Sequence, residues 1–290
     1  MSSMRPQVGF IGLGTMGEPM AANVARSAQP LTVIDVRPEP MDRLVALGAK
    51  PAASLAALAA GCDVILVAVV DEPQLDAVLL GADGVFANAR PGTVVVVHST
   101  VGPGACLRFE TEAAVHGVLL LDAPITGGPG GAVAGTLSIL VGGSAPALET
   151  CRPALEAMSR EIFHLGGVGA GQLAKLANNA VLAVTVQAVH EALRLAEGVG
   201  LNPHVLIDVL SAGSADSWVT RNWGAIGATS IGYPGGPDGV AALTRKDLVL
   251  ALAAADSQGV SVPFTLLASE GLEKPYGAAA RMAADANPKG

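Results

Sequence analysis

Through the first half of the chain, short unbroken runs of Val, Ile and Leu alternate with stretches whose apolar residues recur at helical spacing. The runs cover residues 8–11, 31–34, 64–69, 93–97, 118–122 and 137–141. Between them the spacing predicts helices, for example over 16–26 and 41–47. A strand with one wet face would alternate apolar and polar residues. Runs this uniformly apolar are buried on both faces, which implies a parallel sheet covered by helices on each side. A helix over 147–158 and a short strand over 161–165 close this region. After Gly171 the pattern changes. Residues 172–199 read as one long helix with neither Gly nor Pro before Gly198, and helical segments at 203–210, 244–255 and 264–274 follow with almost no strand signal. The Gly/Pro cluster at 233–239 reads as a loop, and the alanine-rich end after Gly277 carries no assignment. The change of pattern falls inside the glycine-rich stretch 166–171. It divides the chain into an α/β domain over 1–166 and an all-helical domain over 167–290, joined by a long interdomain helix.

Composition narrows the class. With 51% hydrophobic and 14% charged residues among 290, the chain is too apolar for disorder and long enough for a full core. No uninterrupted apolar run reaches membrane-spanning length; the run 64–70 is strand-length and bounded by Asp63 and Asp71, so no membrane association is expected. The opening Met-Ser-Ser-Met-Arg-Pro runs straight into the first strand and leaves no room for a signal peptide, which makes a soluble, cytoplasmic protein the expectation. Cys62, Cys106 and Cys151 are scattered and odd in number, which argues against a disulfide framework and against zinc. Five dispersed histidines offer no metal spacing either, so no metal site is expected. The net charge of −8 comes without any basic run, and no nucleic-acid partner is expected. Any anion site must be built locally.

Three stretches carry candidate chemistry. Gly12-Leu13-Gly14-Thr15-Met16-Gly17 fits GxGxxG; in a chain with 36 glycines the bare pattern is weak, and its context is what gives it weight. An apolar strand precedes it, a helix follows, and the second strand ends in Asp35, at the spacing of a ribose-binding acid. Gly12 permits the tight turn, Gly14 lets backbone approach a pyrophosphate, and Gly17 lets helix and strand pack closely. This makes the first domain a Rossmann-type, doubly wound parallel sheet. Asp35 would accept from ribose hydroxyls and repel a 2′-phosphate, favouring NAD; Arg37 leaves NADP within reach. The second stretch, Asp122-Ala-Pro-Ile-Thr126-Gly127-Gly128, follows a parallel strand. It is either a donor nest for a carboxylate or an ordinary glycine-rich loop. In the third, Lys175, Asn178 and Asn179 stand at i, i+3 and i+4, so Lys175 and Asn179 can reach one ligand. Paired asparagines are poor choices inside a helix. The residues alone leave Lys175 open between a site lysine and a solvated one.

Taken together, Gly9 to Met20, Asp122 to Gly128 continuing to Gly135-Thr-Leu137, Gly169 to Asn179, and Lys246-Asp247-Leu248 resemble the β-hydroxyacid dehydrogenase family, which includes 3-hydroxyisobutyrate dehydrogenases. The resemblance covers nearly the whole chain. It implies NAD binding by Gly12, Leu13, Gly14, Met16, Gly17 and Asp35. Val70 and Thr100 would line the path to adenine and the nicotinamide ribose, and Lys246 would approach the cofactor from the helical domain. Thr126, Gly127 and Gly128 would hold the carboxylate of a small hydroxy-acid substrate, with Asn179 a further substrate ligand and Lys175 the catalytic residue. A homodimer or homotetramer is implied as well. The chain departs from the family at Thr126, where Ser is usual, at Asp71, where Pro is common, and at Val97-His98, where an acid is frequent. These departures bear on which acid is used. Ser217, Trp218 and Trp223 are candidate walls of the pocket.

The reaction so implied is hydride transfer between NAD and a short β-hydroxy acid, with Lys175 exchanging the hydroxyl proton. A free lysine, with a pKa of about 10.4, needs desolvation or cationic neighbours to work as a base near neutrality. Two rivals share the fold: an NADPH-dependent imine reductase and a non-catalytic dinucleotide-binding regulatory protein. Lys175 and Asp35 count against the first, and the intact Lys175–Asn179 face against the second.

Overall fold

The computed structural model describes residues 5–286 of the 290. The opening Met1 to Met4, on which the reading of the amino terminus rests, and Lys289 lie outside them. The chain forms two compact units, Met1–Lys175 and Leu176–Gly290, and the helix Ala170–Gly198 runs from one into the other.

The first unit is built on strands β1 (Val8–Ile11), β2 (Leu31–Ile34), β3 (Lys50–Pro51), β4 (Val64–Val67), β5 (Val94–Val97) and β6 (Leu119–Asp122). They lie in the order β3-β2-β1-β4-β5-β6, with every pairing parallel. Phe10 stands opposite Val33 and Leu66. Because side chains alternate along a strand, Phe10, Leu66 and Val96 enter one apolar cluster while Ile11, Ile65, Val67, Val95 and Val97 enter another. Helix Gly17–Arg26 covers the first with Met20, Ala21 and Val24; helix Pro103–Val115 covers the second with Cys106 and Phe109. Both faces are thus closed, as the unbroken runs require.

The run 137–141 does not extend this sheet. As β8 (Leu137–Val141) it pairs antiparallel with β7 (Ile125–Thr126) and parallel with β9 (Ser159–His164) in a separate three-stranded sheet. β6 runs on into β7 in one antiparallel register against the segment of β8 and Gly142, and Asp122 and Gly142 exchange backbone hydrogen bonds of 3.1 and 2.8 Å that tie the two sheets together. The residues read as a loop after Thr126 form a short helix, Gly128–Ala134.

In the second unit, Val186, Val189 and Leu193 pack with Val219, Trp223, Leu248 and Tyr276. Helix Gly236–Ser257 begins inside the stretch expected to be loop. The helix expected over 264–274 is two, Pro263–Ala268 and Glu273–Ala286, separated at Gly271, whose φ of +64° no regular helix accommodates. The alanine-rich end is therefore helical, and its small residues matter. A Cβ on Gly227 would sit 2.1 Å from the Ala279 carbonyl, so only glycine allows helix Trp223–Gly232 to approach this closely. Among the described residues no helix is long and apolar enough to cross a membrane.

Candidate active site

The strand order reverses direction between β1 and β4, and ligands of open α/β sheets bind at the carboxyl ends of strands at such a point. The glycine turn sits there. Gly12 has φ +88°, and a Cβ on it would meet the Ala68 carbonyl oxygen at 2.6 Å. A Cβ on Gly17 would lie 2.0 Å from the Gly12 oxygen, so the helix starts hard against the turn. A Cβ on Gly14 would meet nothing within 4 Å, leaving open the side from which a pyrophosphate would approach. Leu13 is buried and Met16 half-buried against the sheet core. The Leu13 N–H donates to the Asp35 carboxylate at 2.6 Å, which joins the turn to the end of β2. The Arg37 backbone N–H and its Nε donate to the other carboxylate oxygen at 2.9 and 3.1 Å, and its Nη2 donates to the Leu13 carbonyl at 2.9 Å. Burial alone would raise the pKa of Asp35. The Arg37 guanidinium and the two N–H groups outweigh it and hold the carboxyl below its ordinary value, so Asp35 is an anion at neutral pH. This geometry fits a dinucleotide: an open glycine, a pre-set turn and an ionised acid at the strand end.

The ends of β4, β5 and β6 are bound together by side chains. Ser99 donates from its hydroxyl to the Val69 carbonyl at 2.7 Å, and His98 Nδ1 lies 2.7 Å from the Ala123 carbonyl. Asp122, 0% exposed, accepts from the backbone N–H groups of Gly169 and Gln172, both at 2.7 Å. It thereby caps the helix Ala170–Gly198 from 47 residues away in sequence. Burial raises its pKa against the opposing pull of these and neighbouring N–H groups. The glycines around it make room: a Cβ on Gly142 would sit 2.3 Å from Asp122 Oδ1 and one on Gly171 2.2 Å from the Leu140 oxygen. Gln172, also fully buried, donates to the Ser99 carbonyl at 2.8 Å and accepts from the Val101 N–H at 3.1 Å. Thr100 therefore lies between two backbone groups held by one amide. Lys175, half-buried, follows Gln172 by one turn of the same helix. Thr126 is half-buried at the end of β7, and Gly127 and Gly128 are exposed with φ of +126° and +64°, conformations that glycine alone adopts freely.

Within the second unit, Asn179 donates from its side-chain amide to Asp247 Oδ2 at 2.6 Å, while Lys246 Nζ lies 3.2 Å from Asp247 Oδ1. One nearly buried carboxylate thus orients two of the expected site residues. Val70, just past β4, is 69% exposed. Asp71, in place of the common Pro, caps helix Glu72–Leu79 by accepting the Gln74 N–H. Ser217 likewise caps its own helix, Trp223 is buried in the helical core and Trp218 is exposed. Among the described residues no three His, Cys, Asp or Glu groups stand together as a metal site. Asp122, Gln172 and His98 tie the strand ends together in the first unit, and Asp247 holds Asn179 and Lys246 in the second; the sequence placed these residues within or beside the notable stretches without giving them these roles. Only the unusual choice of a polar residue at the end of an apolar run, as at Asp122, signals them.

A parallel sheet of this order, with an ionised acid clamped to its glycine turn and a helical unit after it, defines a two-unit NAD(P)-dependent oxidoreductase. The family described as the NAD binding domain of 6-phosphogluconate dehydrogenase matches residues 7–166, and the one described as NAD-binding of NADP-dependent 3-hydroxyisobutyrate dehydrogenase matches residues 169–287. An NAD-dependent L-serine dehydrogenase of Pseudomonas aeruginosa is 40% identical, the alignment covering 90% of this chain and 89% of that one. A 3-hydroxyisobutyrate dehydrogenase of the same organism is 38% identical over 90% and 89%. The solved 3-hydroxyisobutyrate dehydrogenase of Mycobacterium tuberculosis, with L-serine, is 33% identical with a TM-score of 0.79, covering 97% of this chain and 95% of that one. The chain belongs to the β-hydroxyacid dehydrogenase family, and its reaction is the family's exchange of hydride between a hydroxy acid and NAD(P). Solved imine reductases, at 21–22% identity, share the fold alone.

Proposed function

We propose that this enzyme oxidises a short β-hydroxy acid of the 3-hydroxyisobutyrate or L-serine kind, with NAD as acceptor and Lys175 exchanging the hydroxyl proton. The observation that carries this reading is the anchoring of the Lys175 helix. Its first turn is clamped by Asp122 and Gln172 to the strand ends where a dinucleotide would lie. A catalytic amine must be held to a fraction of an ångström, and this one stands a single turn from a fully buried anchor. When bound, NAD supplies the nicotinamide that accepts hydride from the hydroxyl-bearing carbon. Lys175, in its neutral amine form, takes the hydroxyl proton as the carbonyl forms; in the reducing direction its ammonium returns that proton and stabilises the developing alkoxide. Thr126, Gly127 and Gly128 hold the substrate carboxylate and Asn179 orients the substrate. Gly12, Leu13, Gly14, Met16 and Gly17 take the pyrophosphate, Asp35 the adenosine ribose, and Val70, Thr100 and Lys246 the rest of the cofactor. The ionised Asp35 supports NAD over NADP. In this reading nucleotide binding resides in residues 1–166, and substrate selection and oligomerisation in 167–290.

The enzyme works in the cytoplasm, consistent with three free, buried cysteines, as a homodimer or homotetramer. The helical unit supports the latter with Val181, Leu195, Val199 and Phe264, each at least 67% exposed. The test is NADH formation with a panel of short β-hydroxy acids, alongside Lys175→Ala. Turnover with such an acid, lost by about a thousandfold in the variant while NADH still binds, is the expected result. Retained turnover in Lys175→Ala would overturn the assignment. Tight NADH binding without turnover of any acid would mark a binding protein instead.

A further inference from the structure

We infer that Gln172 is a positioning residue for hydride transfer: its buried amide locks the Lys175 helix to the 99–101 loop, setting the distance between proton acceptor and cofactor. The inference rests on the proposed roles of Lys175 and Thr100. Four observations carry it. Gln172 is 0% exposed, so its amide is shielded from bulk water. Both ends of the amide are used, Nε2 on the Ser99 carbonyl at 2.8 Å and Oε1 on the Val101 N–H at 3.1 Å. These two groups flank Thr100 and lie 71 and 73 residues away in sequence, so the bonds exist only to join two elements. Its own N–H is held by Asp122 at 2.7 Å, which fixes the backbone from which the amide reaches. A helix needs only its cap to form. The second, side-chain attachment restrains how the helix is rotated and advanced relative to the strand ends, and Lys175 follows about 4.5 Å further along the axis.

Loss of a residue that only stabilised the fold would lower melting temperature and leave the chemical step alone. Loss of a residue that sets a reacting distance slows the chemical step itself, beyond any change in stability, because a misplacement of about an ångström can cost on the order of a hundredfold in rate. Gln172→Met keeps the length and removes both bonds. With 3-hydroxyisobutyrate as probe, kcat should fall about tenfold or more while the Kd for NADH stays within about twofold. The primary deuterium isotope effect, with deuterium on the hydroxyl carbon, should rise as hydride transfer becomes rate-limiting.

Gln172→Glu decides the matter if the methionine variant does not fold. A protonated carboxyl supplies the one donor and one acceptor that the amide uses here; ionised, it offers two acceptors and repels the Ser99 carbonyl. The titratable groups facing that position are Asp122, at the end of β6, and the Cys106 thiol on helix Pro103–Val115. Burial beside the first keeps the new carboxyl protonated at lower pH, so kcat should approach the wild-type value there and drop through a step absent from wild type as pH rises. The inference is overturned by a folded Gln172→Met with wild-type kcat and isotope effect, by a Gln172→Glu that tracks the wild-type pH profile, or by kcat and NADH affinity declining only together with melting temperature. Turnover in Lys175→Ala would instead sink the underlying reading, whatever the Gln172 variants do.

Discussion

His98 makes the stability of this enzyme sensitive to mild acid. It is 3% exposed at the end of β5 and donates from Nδ1 to the Ala123 carbonyl, while its Nε2 meets no hydrogen-bond partner among the described residues. Burial pushes its pKa from 6.5 down to about 4, outweighing the Ala123 carbonyl, which favours the protonated ring. The unfolded chain therefore takes up a proton at His98 near 6.5, and the native protein does so only near 4. Between these values the unfolded state holds the extra proton, and stability is lost as pH falls. At about 1.4 kcal/mol per unit, the whole window is worth on the order of 3 kcal/mol, about 2 of which is gone by about pH 5. That is a large part of a typical folding free energy of roughly 5–15 kcal/mol. His98→Gln keeps an N–H for the Ala123 carbonyl and cannot titrate. Urea unfolding followed by circular dichroism at about pH 7 and about pH 5 should show wild type losing about 2 kcal/mol more than the variant. Parallel losses in the two proteins would refute the assignment of the acid sensitivity to His98.

Other consequences are equally direct. Asp122→Ala orphans two buried N–H groups at the start of the Lys175 helix and should cost about 2–6 kcal/mol in urea unfolding; a loss under about 0.5 kcal/mol would show that the cap contributes nothing. Gly17→Ala places a Cβ 2.0 Å from the Gly12 oxygen and should weaken NADH binding, read by fluorescence titration, with about 1–3 kcal/mol of destabilisation. Unchanged affinity would contradict the close packing of turn and helix. Asp35→Asn removes the anion while leaving Arg37, so the kcat/KM ratio of NAD over NADP should fall about tenfold or more, and a constant ratio would deny Asp35 its role in cofactor choice.

Much of this was written in the order of residues along the chain. Strands buried on both faces must be continuously apolar, and the runs at β1, β4 and β5 could be little else. A glycine turn between strand and helix, followed by an acid at the next strand end, is local chemistry, and so is a lysine with asparagines one turn on. The sequence alone therefore determined a doubly wound first unit, a helical second one, the tight glycine turn after β1 and the family. It could not show that the run 137–141 leaves the main sheet, since periodicity reports which faces are buried and not which strand covers them. Nor could it show that Gly271 would split one expected helix in two, because a single glycine inside helical spacing is compatible with either outcome. The buried polar residues that tie distant segments of each unit together were least visible of all. Asp122 finds its partners 47 and 50 residues away and Gln172 at 71 and 73, and Asn179 meets Asp247 68 residues on. A buried polar group must be satisfied by whatever the folded chain brings beside it, so which residue does so is a property of the tertiary structure and has no signature in local order.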